Sequence, residues 1–265
     1  MNDNDFKTHK LISGSVVEKL DNQFVITPDK LGATNFPYIG TGKDVKVCII
    51  GTGASCHDAI KNIAYVVNMG TSKTYRDNVG NCTILGGIIG ANDQNIKGLA
   101  VDAHVYYAKI HDKNETIKIS NMVAAILWAI IMKVNIIAVS DCTNIDDPAM
   151  RSIIEKAHEN GIIVIVDGTI ENTTCPQNYQ NVISTSVGFG LYSNLVQIPN
   201  NLKPIWSTFL EGKYIEVDPT LCTVAVVAGL TSIIYQHNAE SDATLNTVEN
   251  ITKQLRASFS VHSIG

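Results

Sequence analysis

Two cysteines and one histidine could supply a nucleophile and a base in this sequence. Cys82 and Cys222 each lie at the start of a predicted helix. A helix N-terminus can lower the pKa of a thiol into the range where the thiolate attacks a carbonyl carbon. His57 is the imidazole that would have to accept the proton. A cysteine-dependent peptidase that uses Cys222 or Cys82 is therefore one chemistry that the sequence permits.

Metal binding is a second chemistry to consider. Cys56, His57, Asp58 and Cys82 are suitable zinc ligands, but three of them are consecutive, which is a poor geometry for chelating one ion. The six cysteines show no CxxC spacing, and reduced thiols are expected in a chain that carries no export signal. The sequence therefore predicts no metal site and no other cofactor.

The elements that must position these residues alternate between strand and helix. Short β-branched runs predict strands, and runs of strong helix formers predict helices. The predicted strands are residues 45–50, 104–110, 135–140, 162–167 and 182–187, and the predicted helices are residues 83–91, 120–134, 147–161 and 220–236. Ser120 is predicted to cap the second helix. Asp147 and Pro148 are predicted to begin the third helix, and Gly161 to end it.

Strands that alternate with helices of about 10–15 residues imply right-handed crossovers and a parallel sheet. The predicted fold class is therefore α/β, a three-layer α/β/α domain with a mainly parallel central sheet. Residues 31–237 are predicted to form this domain. Residues 1–30 are predicted to be an N-terminal arm, and residues 238–265 a C-terminal helix and tail that pack on or trail the same domain.

Four blocks of sequence carry motifs in a fixed order. Residues 42–60 include the strand VKVCII and the turn GTG, and residues 80–110 include NCTILGGIIGAN and the strand YYAKI. Residues 122–142 with 161–172 carry a Trp-Ala helix and two apolar strands, and residues 218–234 carry PTLCTVAVVAG. These blocks resemble the catalytic-motif segments of the subtilisin-like (subtilase) serine protease family. The resemblance implies the three-layer subtilisin-like fold.

The catalytic positions implied by the resemblance are occupied by other residues. The aspartate position falls on Gly51, the histidine position on Asn81 and the nucleophilic serine position on Leu221. The oxyanion asparagine position falls near Ile170. Leucine cannot attack a carbonyl, and asparagine does not exchange a proton near neutral pH. The resemblance, which covers about residues 30–236, therefore implies a degenerate family member, a pseudoprotease and not an enzyme.

The resemblance also implies a groove that holds a peptide as an added strand, through main-chain hydrogen bonds. Two segments would form its walls: His111, Asp112 and Lys113 on one side, and Ser140, Asp141 and Cys142 on the other. The carboxylate of Asp141 would favour a basic peptide. Two ordinary surface loops are the alternative interpretation of these segments.

One loop is similar to the family's calcium-binding loop. Residues 92–95 have the sequence NDQN, but Ala59 stands where the family has a carboxylate ligand. Calcium is bound by several oxygen ligands, of which carboxylates are the strongest contributors. Strong calcium binding is therefore not expected.

These features together predict a noncatalytic protein that binds a peptide, or that regulates or scaffolds a partner such as an active subtilisin-like subunit. A structural or assembly protein is an alternative that the sequence does not separate from it.

The net charge of −5 without a basic cluster argues against a nucleic-acid partner. Apolar residues 122–139 and 224–234 are interrupted or too short to span a membrane. The polar N-terminus lacks a signal peptide, which predicts a cytoplasmic protein.

Overall fold

The structure is a computed structural model that describes residues 6–7, 14–111, 116–141, 146–168, 176–187 and 194–259. Its strands are β1 (Phe6–Lys7), β2 (Val16–Val17), β3 (Phe24–Val25), β4 (Lys46–Gly51), β5 (Ile63–Asn68), β6 (Ile96–Lys97), β7 (His104–Lys109), β8 (Thr116–Ile117), β9 (Ile136–Val139), β10 (Ile163–Asp167), β11 (Val182–Val187), β12 (Leu195–Ile198), β13 (Ile205–Thr208) and β14 (Tyr214–Val217). Its helices are α1 (Asn81–Gly90), α2 (Ile119–Ile131), α3 (Pro148–Glu159), α4 (Thr223–Ser241) and α5 (Val248–Phe259).

The central sheet contains seven strands in the order β12-β11-β10-β9-β4-β7-β5, and every neighbouring pair is parallel. Both faces of the sheet are covered by helices, so its strands are apolar on both sides. In β4, Val47 and Ile49 belong to the core shared with α1 and α4, whereas Cys48 and Ile50 belong to the core shared with α2 and α3. This arrangement confirms the predicted α/β/α fold class.

Helix α3 follows its predicted signals closely. The carboxylate of Asp147 accepts hydrogen bonds from the backbone N–H groups of Ala149 and Met150, and Pro148 is the first helical residue. Gly161 follows the helix with φ 71°, a conformation that glycine adopts without steric cost. The predicted beginning and end of this helix are confirmed.

Two predicted helix starts are wrong. Helix α2 begins at Ile119, with Lys118 as its N-cap and no side-chain cap, so Ser120 lies inside the first turn. The predicted helix at residues 220–236 is divided into a 3-10 turn at Pro219–Leu221 and helix α4, which begins at Thr223. Asp218 caps the 3-10 turn through the N–H of Thr220. The polar capping side chain therefore serves the short turn and not the long helix.

Segments before β4 and after α4 also contact the domain. Strand β2 pairs with β14, and strand β3 pairs with β6. Helix α5 packs against α4 and β12 and buries Ile251 and Leu255 in the same core as α1. The boundaries predicted for the arm and the C-terminal segment stay a prediction.

Candidate functional site

The predicted aspartate position lies at the carboxyl end of β4, in the middle of the sheet. Gly51 is the last residue of this strand and is buried. A Cβ atom at this position would lie 2.6 Å from Ser140 Oγ and 2.9 Å from Cys82 Sγ. Both distances are shorter than the normal van der Waals separation between a carbon atom and an oxygen or sulfur atom. The space that an aspartate would enter is therefore occupied by two other side chains.

Cys82 is held beside Gly51 by a reciprocal pair of hydrogen bonds with Thr52. The N–H of Thr52 donates to Cys82 Sγ over 3.1 Å, and the N–H of Cys82 donates to Thr52 Oγ1 over 3.0 Å. Burial raises the pKa of Cys82 to about 12, and the nearby charge of Asp77 acts in the same direction. The sequence left open a lowering of this pKa by the helix N-terminus, but desolvation of the buried thiolate dominates.

Asn81, at the predicted histidine position, is the first residue of α1 and is buried. The turn before it is organised by Asp77. One carboxylate oxygen of Asp77 accepts the N–H groups of Val79 and Gly80, and the other accepts the N–H and the hydroxyl of Thr83. The four hydrogen bonds that this buried carboxylate accepts thus fix where α1 begins and where Asn81 lies.

The predicted serine position lies in the 3-10 turn that precedes α4. Leu221 is 43% exposed, which is a large exposure for a leucine. The neighbouring Cys222 is buried, and burial, assisted by the charges of Asp167 and Asp218, raises the pKa of its thiol strongly. The sequence left a lowered pKa open for Cys222 as well, and burial acts in the opposite direction.

The structure brings together three of the predicted groove residues. His111 is 2% exposed and Asp141 is 6% exposed, and His111 Nε2 lies 3.6 Å from Asp141 Oδ2. The hydroxyl of Ser140 donates to the same carboxylate oxygen over 2.9 Å. The two predicted walls therefore meet through side chains. Four further predicted site residues lie outside the described residues: Asp112, Lys113, Cys142 and Ile170.

The zinc ligands considered from the sequence do not assemble into one site. Cys56 is exposed, whereas Cys82 is buried beside Gly51. Among the described residues no group of three or more His, Cys, Asp or Glu side chains is placed to hold a metal ion.

The loop that resembles a calcium site is instead closed by its own hydrogen bonds. Asp93 Oδ1 accepts the N–H groups of Asn95 and Ile96, each over 2.7 Å, and Oδ2 accepts the hydroxyl of Tyr214 over 2.8 Å. Burial acts to raise the pKa of Asp93, but these hydrogen bonds outweigh it and lower the pKa.

A cavity of about 770 Å³, which was not predicted from the sequence, lies beside this loop. Its lining residues come from four segments that are far apart in the chain. They are Cys56, His57, Asp58, Arg76, Asp77, Asn78, Thr83, Asp93, Asn95, Phe209, Leu210, Glu211, Gly212 and Tyr214. The only local signal was the unusual run of Cys, His and Asp at residues 56–58, which suggested a metal.

His57 forms part of the cavity wall. Its Nδ1 accepts the N–H of Ala59 over 3.1 Å, and its ring meets the ring of Tyr214 edge to face, with centroids 4.9 Å apart. Burial lowers the pKa of His57, although the charge of Asp93 and nearby backbone carbonyl groups act in the opposite direction. The imidazole is therefore favoured in its neutral form.

The parallel sheet, with Gly51 and the start of α1 side by side at the end of its central strand, defines a three-layer α/β protein whose candidate site lies at the carboxyl end of that strand. A profile of the subtilase family matches residues 42–259. The chain belongs to the subtilase family.

Several proteases are similar to this chain. The minor extracellular protease Epr of Bacillus subtilis is 29% identical over 55% of the chain and 24% of its own length. The major intracellular serine protease of the same organism is 28% identical over 76% of the chain and 71% of its own length. The thermostable alkaline protease of Halalkalibacterium halodurans is 23% identical over 73% of the chain and 57% of its own length. The chain thus spans about a quarter of the first relative and just over half of the third.

None of the helices formed by the described residues has both the length and the apolar character needed to cross a membrane.

Proposed function

We propose that this chain is a noncatalytic subtilase that binds an extended, basic peptide segment of a partner protein. The observation that carries the proposal is the filled space beside Gly51. Ser140 Oγ and Cys82 Sγ lie where the side chain of a triad aspartate would have to begin. A carboxylate that orients the catalytic imidazole is essential to the family's mechanism, and one at position 51 would have to displace Ser140 and Cys82.

The other two triad positions support the same conclusion. The triad acts as a unit, so the loss of one member removes most of the rate enhancement. Asn81 offers no group that can accept and return a proton near neutral pH, and Leu221 offers no nucleophilic atom. The relatives named above are proteases, so the proposal describes a loss of activity within the family.

The groove residues support peptide binding. Main-chain hydrogen bonds to an added strand give affinity without a catalytic group. Asp141 is a buried carboxylate at the meeting point of the two walls, beside Ser140 and His111. A lysine or arginine side chain of the peptide that displaces the Ser140 hydroxyl would gain a charge-assisted hydrogen bond there. The peptide would belong to a protein partner, and an active subtilisin-like subunit is one such partner.

The proposal is tested by exposing the full chain to a fluorophosphonate probe and to a library of short peptides. We expect no covalent adduct, no cleavage, and enrichment of peptides that contain lysine or arginine. Asp141→Asn should weaken the enriched peptide about tenfold, the loss expected for one charge-assisted contact. Asp102→Asn, which alters an exposed carboxylate before β7, should leave the affinity unchanged.

Other results would overturn parts of the proposal. An adduct or cleaved peptide would show that the chain is an active protease. Absence of any peptide enrichment would remove the binding function. Enriched peptides whose affinity is the same for the parent chain and Asp141→Asn would place the binding site elsewhere than the groove.

The cysteine-peptidase alternative predicts reactive thiols at Cys82 or Cys222. Both thiols are buried and have raised pKa values, so we expect neither to be alkylated when the native chain is treated with iodoacetamide at neutral pH. Cys56 is exposed and should be labelled. Peptide mapping by mass spectrometry locates the adducts, and the same treatment in urea should label all three. Rapid native labelling of Cys82 or Cys222 would revive the alternative.

The predicted cytoplasmic location stays a prediction, since one relative is named as an extracellular protease and another as an intracellular one.

The assembly-protein alternative is tested by measuring the molecular mass of the purified chain in solution across a range of concentrations. Self-association into a defined oligomer would favour assembly.

A further inference from the structure

The cavity beside His57 opens next to an accessible thiol. Of the described cysteines, Cys48, Cys82 and Cys222 are buried and Cys56 is exposed. Cys56 also lines the cavity of about 770 Å³. Small-molecule sites in proteins are concave and measure about 300–1,000 Å³. A thiol at the wall of a cavity of this size can react with a molecule that the cavity first binds.

His57 provides a poorly paired donor in the same cavity. The side chain is 5% exposed, and its Nε2 makes no hydrogen bond of ordinary geometry among the described residues, although the backbone carbonyl groups of Gly212 and Lys213 lie near the ring. Because Nδ1 accepts the N–H of Ala59, the proton of the neutral ring resides on Nε2. Gly212 lines the same cavity. A buried donor without a well-aligned acceptor is costly, and a ligand oxygen would satisfy it.

Charged groups of both signs surround this donor. Arg76 places an exposed guanidinium at the cavity, and Asp58 and Glu211 place exposed carboxylates there. Glu211 also pairs with Lys213, with Oε2 and Nζ 3.1 Å apart. Guanidinium binds carboxylates with two parallel hydrogen bonds, whereas carboxylates bind ammonium groups. The cavity is therefore complementary to a small molecule that carries both an ammonium and a carboxylate.

We propose that Cys56 is a thiolation site for low-molecular-weight disulfides of the amino-acid type. Arg76 and His57 would bind the carboxylate of the incoming disulfide, and Asp58 would bind its ammonium. The Cys56 thiolate attacks one sulfur, a Cys56–S–S–R bond forms, and the original S–S bond breaks. The leaving half departs as a thiolate and takes up the proton that Cys56 released to solvent. One equivalent of R–S–H is formed for each modified chain.

This proposal is independent of the peptide-binding function. The cavity shares no residue with the described groove residues His111, Ser140 and Asp141. Loss of peptide binding would therefore leave the thiolation site untouched, and the reverse also holds.

The test compares two disulfides on the reduced full chain: cystine, which is zwitterionic with no net charge at neutral pH, and bis(2-hydroxyethyl) disulfide, which has no ionised group. Intact-mass kinetics give the rate for each reagent, and peptide mapping gives the site. The same two rates measured in urea supply the intrinsic reactivities. After this normalisation we expect the folded chain to prefer cystine about tenfold, as one charge-assisted contact predicts, with the adduct on Cys56.

Variants separate cavity binding from simple exposure. Cys56→Ser should abolish the adduct. Arg76→Gln should reduce the preference to about onefold while leaving the rate with the neutral disulfide unchanged. Lys73→Gln, which removes an exposed charge from the same loop but outside the cavity, should keep the full preference. Adducts on a different cysteine, or equal normalised rates for the two disulfides in the parent chain, would overturn the proposal.

Discussion

Replacing Gly51 with aspartate is expected to lower the free energy of unfolding by about 3 kcal/mol. The new Cβ would lie 2.6 Å from Ser140 Oγ and 2.9 Å from Cys82 Sγ, so both side chains would have to move. The new carboxylate would also approach Asp141, whose Oδ2 lies 3.4 Å from the Cβ position. Two neighbouring carboxylates in a buried site repel each other. Urea unfolding followed by the fluorescence of Trp128 and Trp206 gives the change.

A double-mutant cycle with Cys82→Gly tests the cause. Cys82→Gly alone is expected to destabilise the chain, because it leaves a cavity and places a glycine in α1. In the double variant the sulfur no longer blocks the Gly51 side chain. The two changes together should therefore cost less than the sum of the single changes, by about 1 kcal/mol or more. A Gly51→Asp variant as stable as the parent would show that the space can receive a triad aspartate.

The architecture could be predicted from the sequence because the residues that begin and end the helices agree with the pattern of apolar residues in the strands. Strand β4 is apolar at every position that two helical layers cover, and Asp147 and Gly161 mark the ends of α3. The start of α2 was misplaced because the buried Ile119 already belongs to the helix, although Ser120 has the better capping chemistry. Packing of an apolar residue outweighed the capping preference.

The cysteines show why the site chemistry was harder to predict. Cys82 and Cys222 were correctly placed near helix starts, but sequence position does not reveal burial. Each thiol is enclosed by the core between the sheet and the helices α1 and α4, and desolvation raises both pKa values. The cavity beside His57 was missed for a related reason. Its wall combines residues 56–58 with residues 209–214. The hydrophobic periodicity of a sequence carries no information about contacts between segments so far apart.

The placement of Ser140 beside Gly51 depends on sheet order in the same way. Strands β4 and β9 are neighbours, and their register pairs Ile50 with Val139. The residues that follow these two positions are Gly51 and Ser140. Their contact follows from the register once the neighbours are known. The family resemblance identified both strands, but the contact of the Cys82 sulfur with Gly51 depends on how α1 packs against β4.

Asp77→Asn is expected to lower the free energy of unfolding by about 3 kcal/mol. The carboxylate of Asp77 accepts four hydrogen bonds at the start of α1. An amide would turn one acceptor oxygen into a donor that faces other donors. The carboxylate also favours the charged form of Lys109, a buried lysine whose pKa is lowered by its own burial. Without Asp77 that buried ammonium loses its nearby negative charge.

Asp147→Asn is the matched control, because Asp147 also caps a helix but does so through one oxygen at a partly exposed position. We expect it to cost about 1 kcal/mol or less, since asparagine is nearly as good a cap. Combining Asp77→Asn with Lys109→Met should recover part of the lost stability, because it removes the buried charge that Asp77 balanced. Urea unfolding of the four chains measures these differences. Equal losses for Asp77→Asn and Asp147→Asn would show that Asp77 acts only as a cap, and that the turn before Asn81 is held by other contacts.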